Sequence, residues 1–200
     1  MTASLQLADP YLLERRDLTV DDLVDLPEDL HYELIDGRLV LTPNALPIHQ
    51  IIANRTANAI EVGCPEFGEF VVNQEQAVLI NSRNELQPDA VVIRAEGASR
   101  SPVRAADVPL VVEIISKSSV TYDRRQKMKS YAFAGIPSYW IIDPLADRVT
   151  FTQYLLGADG NYHQQIQTDE LITVHQPWQI TLDLPAWTRK RDWLEEIARP

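Results

Sequence analysis

The sequence predicts an α/β fold in which a mixed β-sheet is flanked by helices, and three observations predict it. PLVVEIIS (residues 109–116) is a nearly continuous apolar run with one acid in it, as expected of a central strand buried on both faces. A helical pattern follows it, and then a second β-rich run, SYWIID (138–143), so that strand, helix and strand succeed one another as in a parallel crossover. HYELIDGRLVLTP (31–43) sets the dipeptide Asp36-Gly37 between two apolar runs, the signature of a β-hairpin.

The other elements follow in chain order. DLTVDDLVDLP (17–27) places Thr19 before an acidic first turn and ends at Pro27, which predicts a short capped helix lying over the core. HQIIANRTANAIE (49–61) repeats Ile and Ala at helical spacing, with Ile52, Ala59 and Ile60 as buried candidates, and Cys64-Pro65 ends it. FGEFVVNQEQAVLI and PDAVVI are strand-like runs separated by a polar loop, NSRNELQ. Asp123 followed by Gln126 resembles a capping box. From there Met128, Tyr131, Ala132 and Gly135 continue a helix toward Pro137. The tail from Arg148 reads as a hairpin, RVTFTQYLL and YHQQIQ around GADGN, followed by LITVH and a last strand, QITLDL.

At 200 residues with 45% hydrophobic content, the chain suits one domain, residues 1–200, with prolines and glycines scattered rather than gathered in a linker. The single cysteine, Cys64, cannot form an intramolecular disulfide, and the first residues lack a basic segment leading into an apolar run; a cytoplasmic protein is expected. No apolar stretch approaches the roughly 20 residues of a membrane span. The net charge of −11 argues against a broad electrostatic footprint on nucleic acid, which draws its affinity from Lys and Arg. Basic residues are nevertheless grouped, at Arg100, Arg104, Lys117, Arg124, Arg125, Lys127 and Lys129 and again at Arg189, Lys190 and Arg191. These form either a local positive face or a solvated surface.

An acid within a Val/Ile strand is costly unless it is paired, protonated or bound to a cation, and Glu113 is such an acid. Asp89, after Pro88 at the head of a preceding apolar strand, can present a second carboxylate at the same sheet rim. Hard divalent cations favour such oxygen donors. Bland alternatives stand beside these: Asp89 as a strand-start residue, Asp123 as a helix cap, Glu33 as a strand residue pairing with Arg38, and His49 as a capping or packing residue. Lys127 and Tyr131, one helical turn apart, can be plain core-edge packing. Tyr139, Trp140, Trp178, Trp187 and Trp193 suit a core or an interface better than base stacking.

Tyr32-Glu33-Leu34-Ile35-Asp36-Gly37, His49, Pro88-Asp89, Glu113-Ile114-Ile115-Ser116, Asp123 with Lys127 and Tyr131, and Gly135-Ile136-Pro137 before Tyr139-Trp140 together resemble the Uma2-like restriction endonuclease family of the PD-(D/E)XK nuclease superfamily. The resemblance runs from about Leu18 to Pro144. It implies a restriction-endonuclease-like core over about 18–144, with a C-terminal β extension over about 148–200. It further implies a Mg²⁺- or Mn²⁺-dependent endonuclease acting on nucleic acid, DNA above all, and leaving a 5′-phosphate. In this reading Glu33, Asp89 and Glu113 are metal ligands, the Ile114 carbonyl adds to them, and Lys127 is the catalytic lysine. The superfamily places that lysine two residues after the strand acid, where this chain has Ile115; Lys127 matches the family's substitute on the following helix, and Lys117 competes with it. Ser138 stands where the family commonly has an acid. Double-strand cutting suggests a homodimer, with Trp178 and Trp187 as interface candidates. The rival reading is a non-catalytic binding module that kept the nuclease fold and turns its acidic surface to a protein partner.

Overall fold

The computed structural model describes residues 11–27, 30–42, 45–64, 68–116 and 121–197, with the side chains of 121–124 outside the description. Short 3₁₀ turns cover Val20–Leu23, Ala95–Gly97 and Ala105–Asp107. Three helices are α1 (Pro47–Gly63), α2 (Thr121–Phe133) and α3 (Leu184–Ile197). The strands are β1 (Tyr32–Ile35), β2 (Arg38–Leu41), β3 (Phe70–Asn73), β4 (Val78–Asn81), β5 (Asn84–Leu86), β6 (Ala90–Arg94), β7 (Val103–Arg104), β8 (Leu110–Ile114), β9 (Ser138–Asp143), β10 (Thr150–Leu156), β11 (Tyr162–Thr168), β12 (Leu171–Val174) and β13 (Ile180–Asp183).

A large mixed sheet runs β11-β10-β9-β8-β6-β3, a smaller one β2-β1-β5-β4-β7, and β12 and β13 form a hairpin of their own. β8 lies inside the large sheet and is buried along its whole length, which is why its sequence is apolar on both faces. It pairs in parallel with β9 across the α2 crossover, in register from Leu110↔Ser138 to Ile114↔Ile142. One face of the large sheet, with Val92, Val112, Trp140 and Ile142, packs under α1, α3 and the β12–β13 hairpin. The other face, with Val91, Ile93, Val111 and Tyr139, packs against α2 and the small sheet through Tyr131, Val78, Leu86 and Val103. Because strand side chains alternate, Glu113 shares Val111's face and points toward α2 and the small sheet.

The β1–β2 hairpin turns at Asp36 and Gly37, with φ of 50° and 77°, the two positive values a type I′ turn requires. Arg83 clamps this turn by donating to the carbonyls of Asp36 and Arg16, both at 2.9 Å. A Cβ at position 37 would lie 2.6 Å from the Arg83 guanidinium and 3.0 Å from the Arg16 carbonyl oxygen. Gly37→Ala is therefore expected to destabilise the fold by about 1–2 kcal/mol, from the left-handed backbone alone before the clamp gives way; a urea midpoint equal to wild type would show that the turn relaxes freely.

Three expectations change. The stretch NSRNELQ is not simply a loop, because Asn84, Glu85 and Leu86 form the buried strand β5 between β1 and β4. The C-terminal β extension ends at Asp183: α3 follows, with the Asp183 carboxylate accepting from the Ala186 amide at 2.9 Å and Leu184, Trp187, Thr188 and Arg191 buried along one face. Trp178 and Trp187 belong to the core, with the Trp178 indole donating to the Ile60 carbonyl at 2.9 Å, so neither is available to an interface. The capping role expected of Asp123 concerns a side chain outside the described ones, as does Lys117 altogether. The short helix at 17–27 is a 3₁₀ turn from Val20, with the Asp22 carboxylate accepting from the Thr19 amide and hydroxyl at 2.8 Å. No helix among the described residues is long and apolar enough to cross a membrane.

Candidate active site

The ends of β6 and β8 bring the first two acids together. These strands are antiparallel, with Ala90 opposite Val112. One step beyond, Asp89 stands across from Glu113 on the same face. Asp89 is fixed by its own backbone neighbour on that strand: its Oδ2 accepts the Ile114 amide at 2.6 Å. Charge assistance makes this an effective anchor for the carboxylate.

Glu33 arrives from the small sheet. It is buried, and its Oε1 accepts the Gln87 amide at 2.8 Å and the Lys127 ammonium at 2.8 Å. Lys127 reaches in from α2 and also donates to Glu113, at 3.3 Å from Oε1 and 3.2 Å from Oε2. One helical turn on, the Tyr131 hydroxyl donates to Glu113 Oε1 at 2.7 Å, with its ring 5.6 Å from that of Tyr139. α2 is tied to the hairpin tip beside this point, where the Gln126 amide donates to Asp36 at 2.6 Å. Glu33, Glu113 and Lys127 thus meet at the seam of the two sheets and α2, with Asp89 beside Glu113.

His49, in the first turn of α1, comes from the opposite face and closes the strand end. Its Nε2 lies 3.1 Å from the Ile114 carbonyl oxygen and 3.3 Å from Asp89 Oδ1, while its Nδ1 is buried without a hydrogen-bond partner among the described residues. Donation from Nε2 to both oxygens fixes the protonated nitrogen on that side.

Burial dominates the electrostatics. It pushes the Glu113 carboxyl up to about 7, against the pull of the Lys127 ammonium and with help from the Asp89 and Glu33 charges. For Lys127 burial works the other way, but the Glu113 and Glu33 charges outweigh it and hold the amine protonated far above its ordinary range. Burial also opposes a charged His49, yet the bond and charge of Asp89 and the Ile114 carbonyl leave its pKa raised overall. Tyr131 is kept a hydroxyl, first by burial and then by the carboxylates around it.

Of the residues expected from sequence, Lys127 contacts Glu33 and Glu113 directly, and Asp89 anchors on the strand of Glu113. No three Asp, Glu, His or Cys side chains among the described residues are grouped so as to hold one ion by themselves. Two residues left aside at the level of sequence belong to the site: His49, through Asp89 and Ile114, and Tyr131, through Glu113. Their signals were a histidine at a helix start and a tyrosine one turn beyond a lysine, each equally compatible with packing. The grouped basic residues, left open between a positive face and a solvated surface, do not all lie free at the surface. Arg191 is buried and donates to the carbonyls of Pro144, Ala146 and Asp147, and Arg100 pairs with Asp107.

A search of curated proteins gave no match. A crystal structure described as a putative nuclease belonging to DUF820, from Anabaena variabilis, superposes with a TM-score of 0.67 at 18% identity, covering 86% of this chain and 99% of that one. The fold is thus the restriction-endonuclease-like one. The family model for Uma2, described as putative restriction endonuclease, matches residues 20–188. This match takes in both sheets, α1, α2 and every residue of the site, and the chain belongs to the Uma2 restriction endonuclease family.

Proposed function

We propose that the protein is a metal-dependent endonuclease that hydrolyses phosphodiester bonds of nucleic acid, with DNA as the substrate. The observation that carries this reading is the Lys127 ammonium between Glu33 and Glu113, beside Asp89 at the end of the central strand. Once Glu113 is ionised, three carboxylates against one ammonium leave a surplus of negative charge in a place where charge is poorly solvated. Carboxylate and carbonyl oxygens are also the donors that Mg²⁺ or Mn²⁺ takes.

Asp89, Glu113 and the Ile114 carbonyl would hold the ion, the remaining positions going to water and phosphate oxygens. The expectation of three carboxylates on one ion narrows here to two, because no three acid, histidine or cysteine side chains among the described residues are grouped to hold one ion, and Glu33 comes from the other sheet as a partner of Lys127. Bound there, the cation would acidify a water and offset charge on the scissile phosphate. Lys127 places a fixed positive charge beside the reacting phosphate and orients the attacking water, and Glu33 holds Lys127 in that place. Tyr131 and His49 fix the orientations of Glu113 and Asp89. A homodimer would supply two such sites for cutting both strands.

The test is incubation of supercoiled plasmid with the protein and Mg²⁺ or Mn²⁺, beside a chelator control and Asp89→Ala. Cleavage is expected with the metal alone and is expected to vanish in both controls; a variant that cuts like wild type would end this reading. The buried Arg191 and the charge of −11 favour the rival reading, a protein-binding module, in which plasmid is left intact under every condition.

A further inference from the structure

The small sheet has a second face. Glu85 on β5 stands opposite Leu34 on β1, so Tyr32, Leu34 and Glu85 point away from Glu33 and the site. On this face the segment 20–27, together with Leu30, borders a cavity of about 390 Å³. Leu23, Leu26, Pro27 and Leu30 line it with hydrocarbon, and Tyr32 and Glu85 furnish polar groups at its wall. Such a volume lies in the range of small-molecule sites, which combine apolar walls with a few placed polar groups.

Glu85 is the feature that packing does not explain. It is only 8% exposed, and among the described residues the Tyr32 hydroxyl is its hydrogen-bond partner while no basic side chain acts on it. A carboxylate taken out of water and left without a cation is expensive. Every other buried acid of the described chain, Glu33 and Glu113, has Lys127. Gln87, also in the cavity wall, gives its amide N–H to the Glu75 carbonyl, which leaves its own carbonyl oxygen to accept. Asp21 and Asp25 are exposed on the segment that borders the cavity, which adds negative charge to that side of the chain.

We propose that this cavity binds a small organic cation with an apolar body, a primary alkyl- or arylalkylammonium. Its ammonium group meets the Glu85 carboxylate, with the Gln87 carbonyl as a further acceptor and the Tyr32 ring beside it. Its hydrocarbon part lies against Leu23, Leu26, Pro27 and Leu30. An ammonium has three donors and no acceptor, which matches a wall of oxygens. An anion is rejected by Glu85, and a bare metal ion finds a single carboxylate in the wall.

Calorimetric titration of the full chain with hexylammonium and 2-phenylethylammonium tests this, with hexanol, hexanoate and Mg²⁺ alone as comparisons. Saturable binding of one ammonium per chain is expected, with none of hexanoate. Glu85→Gln is expected to weaken it about tenfold or more. Leu26→Ser, which leaves Glu85 in place, is expected to weaken hexylammonium and spare methylammonium. Asp89→Ala should bind as wild type does, which keeps this result apart from the fate of the nuclease reading. Absence of saturable binding by either ammonium, hexanol binding as tightly as hexylammonium, or a folded Glu85→Gln that binds like wild type would each overturn the proposal.

Discussion

Glu113→Gln is expected to lower metal-dependent phosphodiester cleavage about a thousandfold while leaving the chain folded. The substitution keeps the side chain's volume, and its amide oxygen can still accept from Tyr131, which now donates at 2.7 Å. Lys127 retains Glu33, at 2.8 Å, as a partner. What disappears is the negative charge at the end of β8 that would hold the cation. Stability should hardly suffer, because the charge removed is one whose burial is costly. Single-turnover cleavage rates at saturating Mg²⁺, taken with thermal melting by circular dichroism, separate the two effects. A variant that cuts at the wild-type rate would remove Glu113 from the reaction.

Lys127→Met should act on stability instead, costing about 3–5 kcal/mol in the presence of a chelator, because it leaves two buried carboxylates facing each other without a cation. The pH dependence has a definite sign. Burial already raises Glu113 to about 7 in the folded chain, above its ordinary value of 4.5, so between these values the folded state holds more protons than the unfolded one. The contribution of this group is fully present below the unfolded pKa and is lost as pH rises toward 7. With Lys127 gone, the opposing pull on Glu113 is gone as well, and the window extends to higher pH. Urea unfolding at pH 5 and pH 8 should therefore show a larger deficit at pH 8. A deficit independent of pH would mean that Lys127 contributes by packing alone.

The parts of the fold that were legible in the sequence are those where local chemistry and tertiary demand agree. β8 is buried on both faces and reads so; Asp36-Gly37 has the residues that two positive φ values call for. β5 was hidden because its residues are polar for tertiary reasons: Asn84 accepts the Asp36 amide at 2.9 Å across the hairpin, and Glu85 faces the cavity. α3 was legible in principle, from an aspartate cap and burial of Leu184, Trp187, Thr188 and Arg191 at helical spacing. A preceding run of short strands, and an arginine on the buried face, concealed that pattern. In the site, Glu113 stands out by the cost of its burial. Glu33 and Lys127 do not, because their meaning depends on contacts across 94 positions of chain that only the family pattern or the folded protein brings together. His49 reaches the site from the far side of the sheet, a relation no local pattern encodes.

The anchoring of Asp89 and Glu113 also bears on which ion the centre could accept. Each carboxylate has one oxygen held by an uncharged donor, Asp89 Oδ2 by the Ile114 amide and Glu113 Oε1 by the Tyr131 hydroxyl, while the other faces a basic side chain, His49 at 3.3 Å and Lys127 at 3.2 Å. Chelation through both oxygens of either group would break one of these bonds. Ca²⁺, which gathers about six to eight oxygens and often takes carboxylates in two-armed fashion, is poorly served by such a centre. A smaller ion that keeps most of its hydration shell asks for no more than one oxygen from each acid, and its remaining waters stay free to meet a phosphate. By tethering one arm of each carboxylate, the fold would favour a small, hydrated cation over a large one at this place.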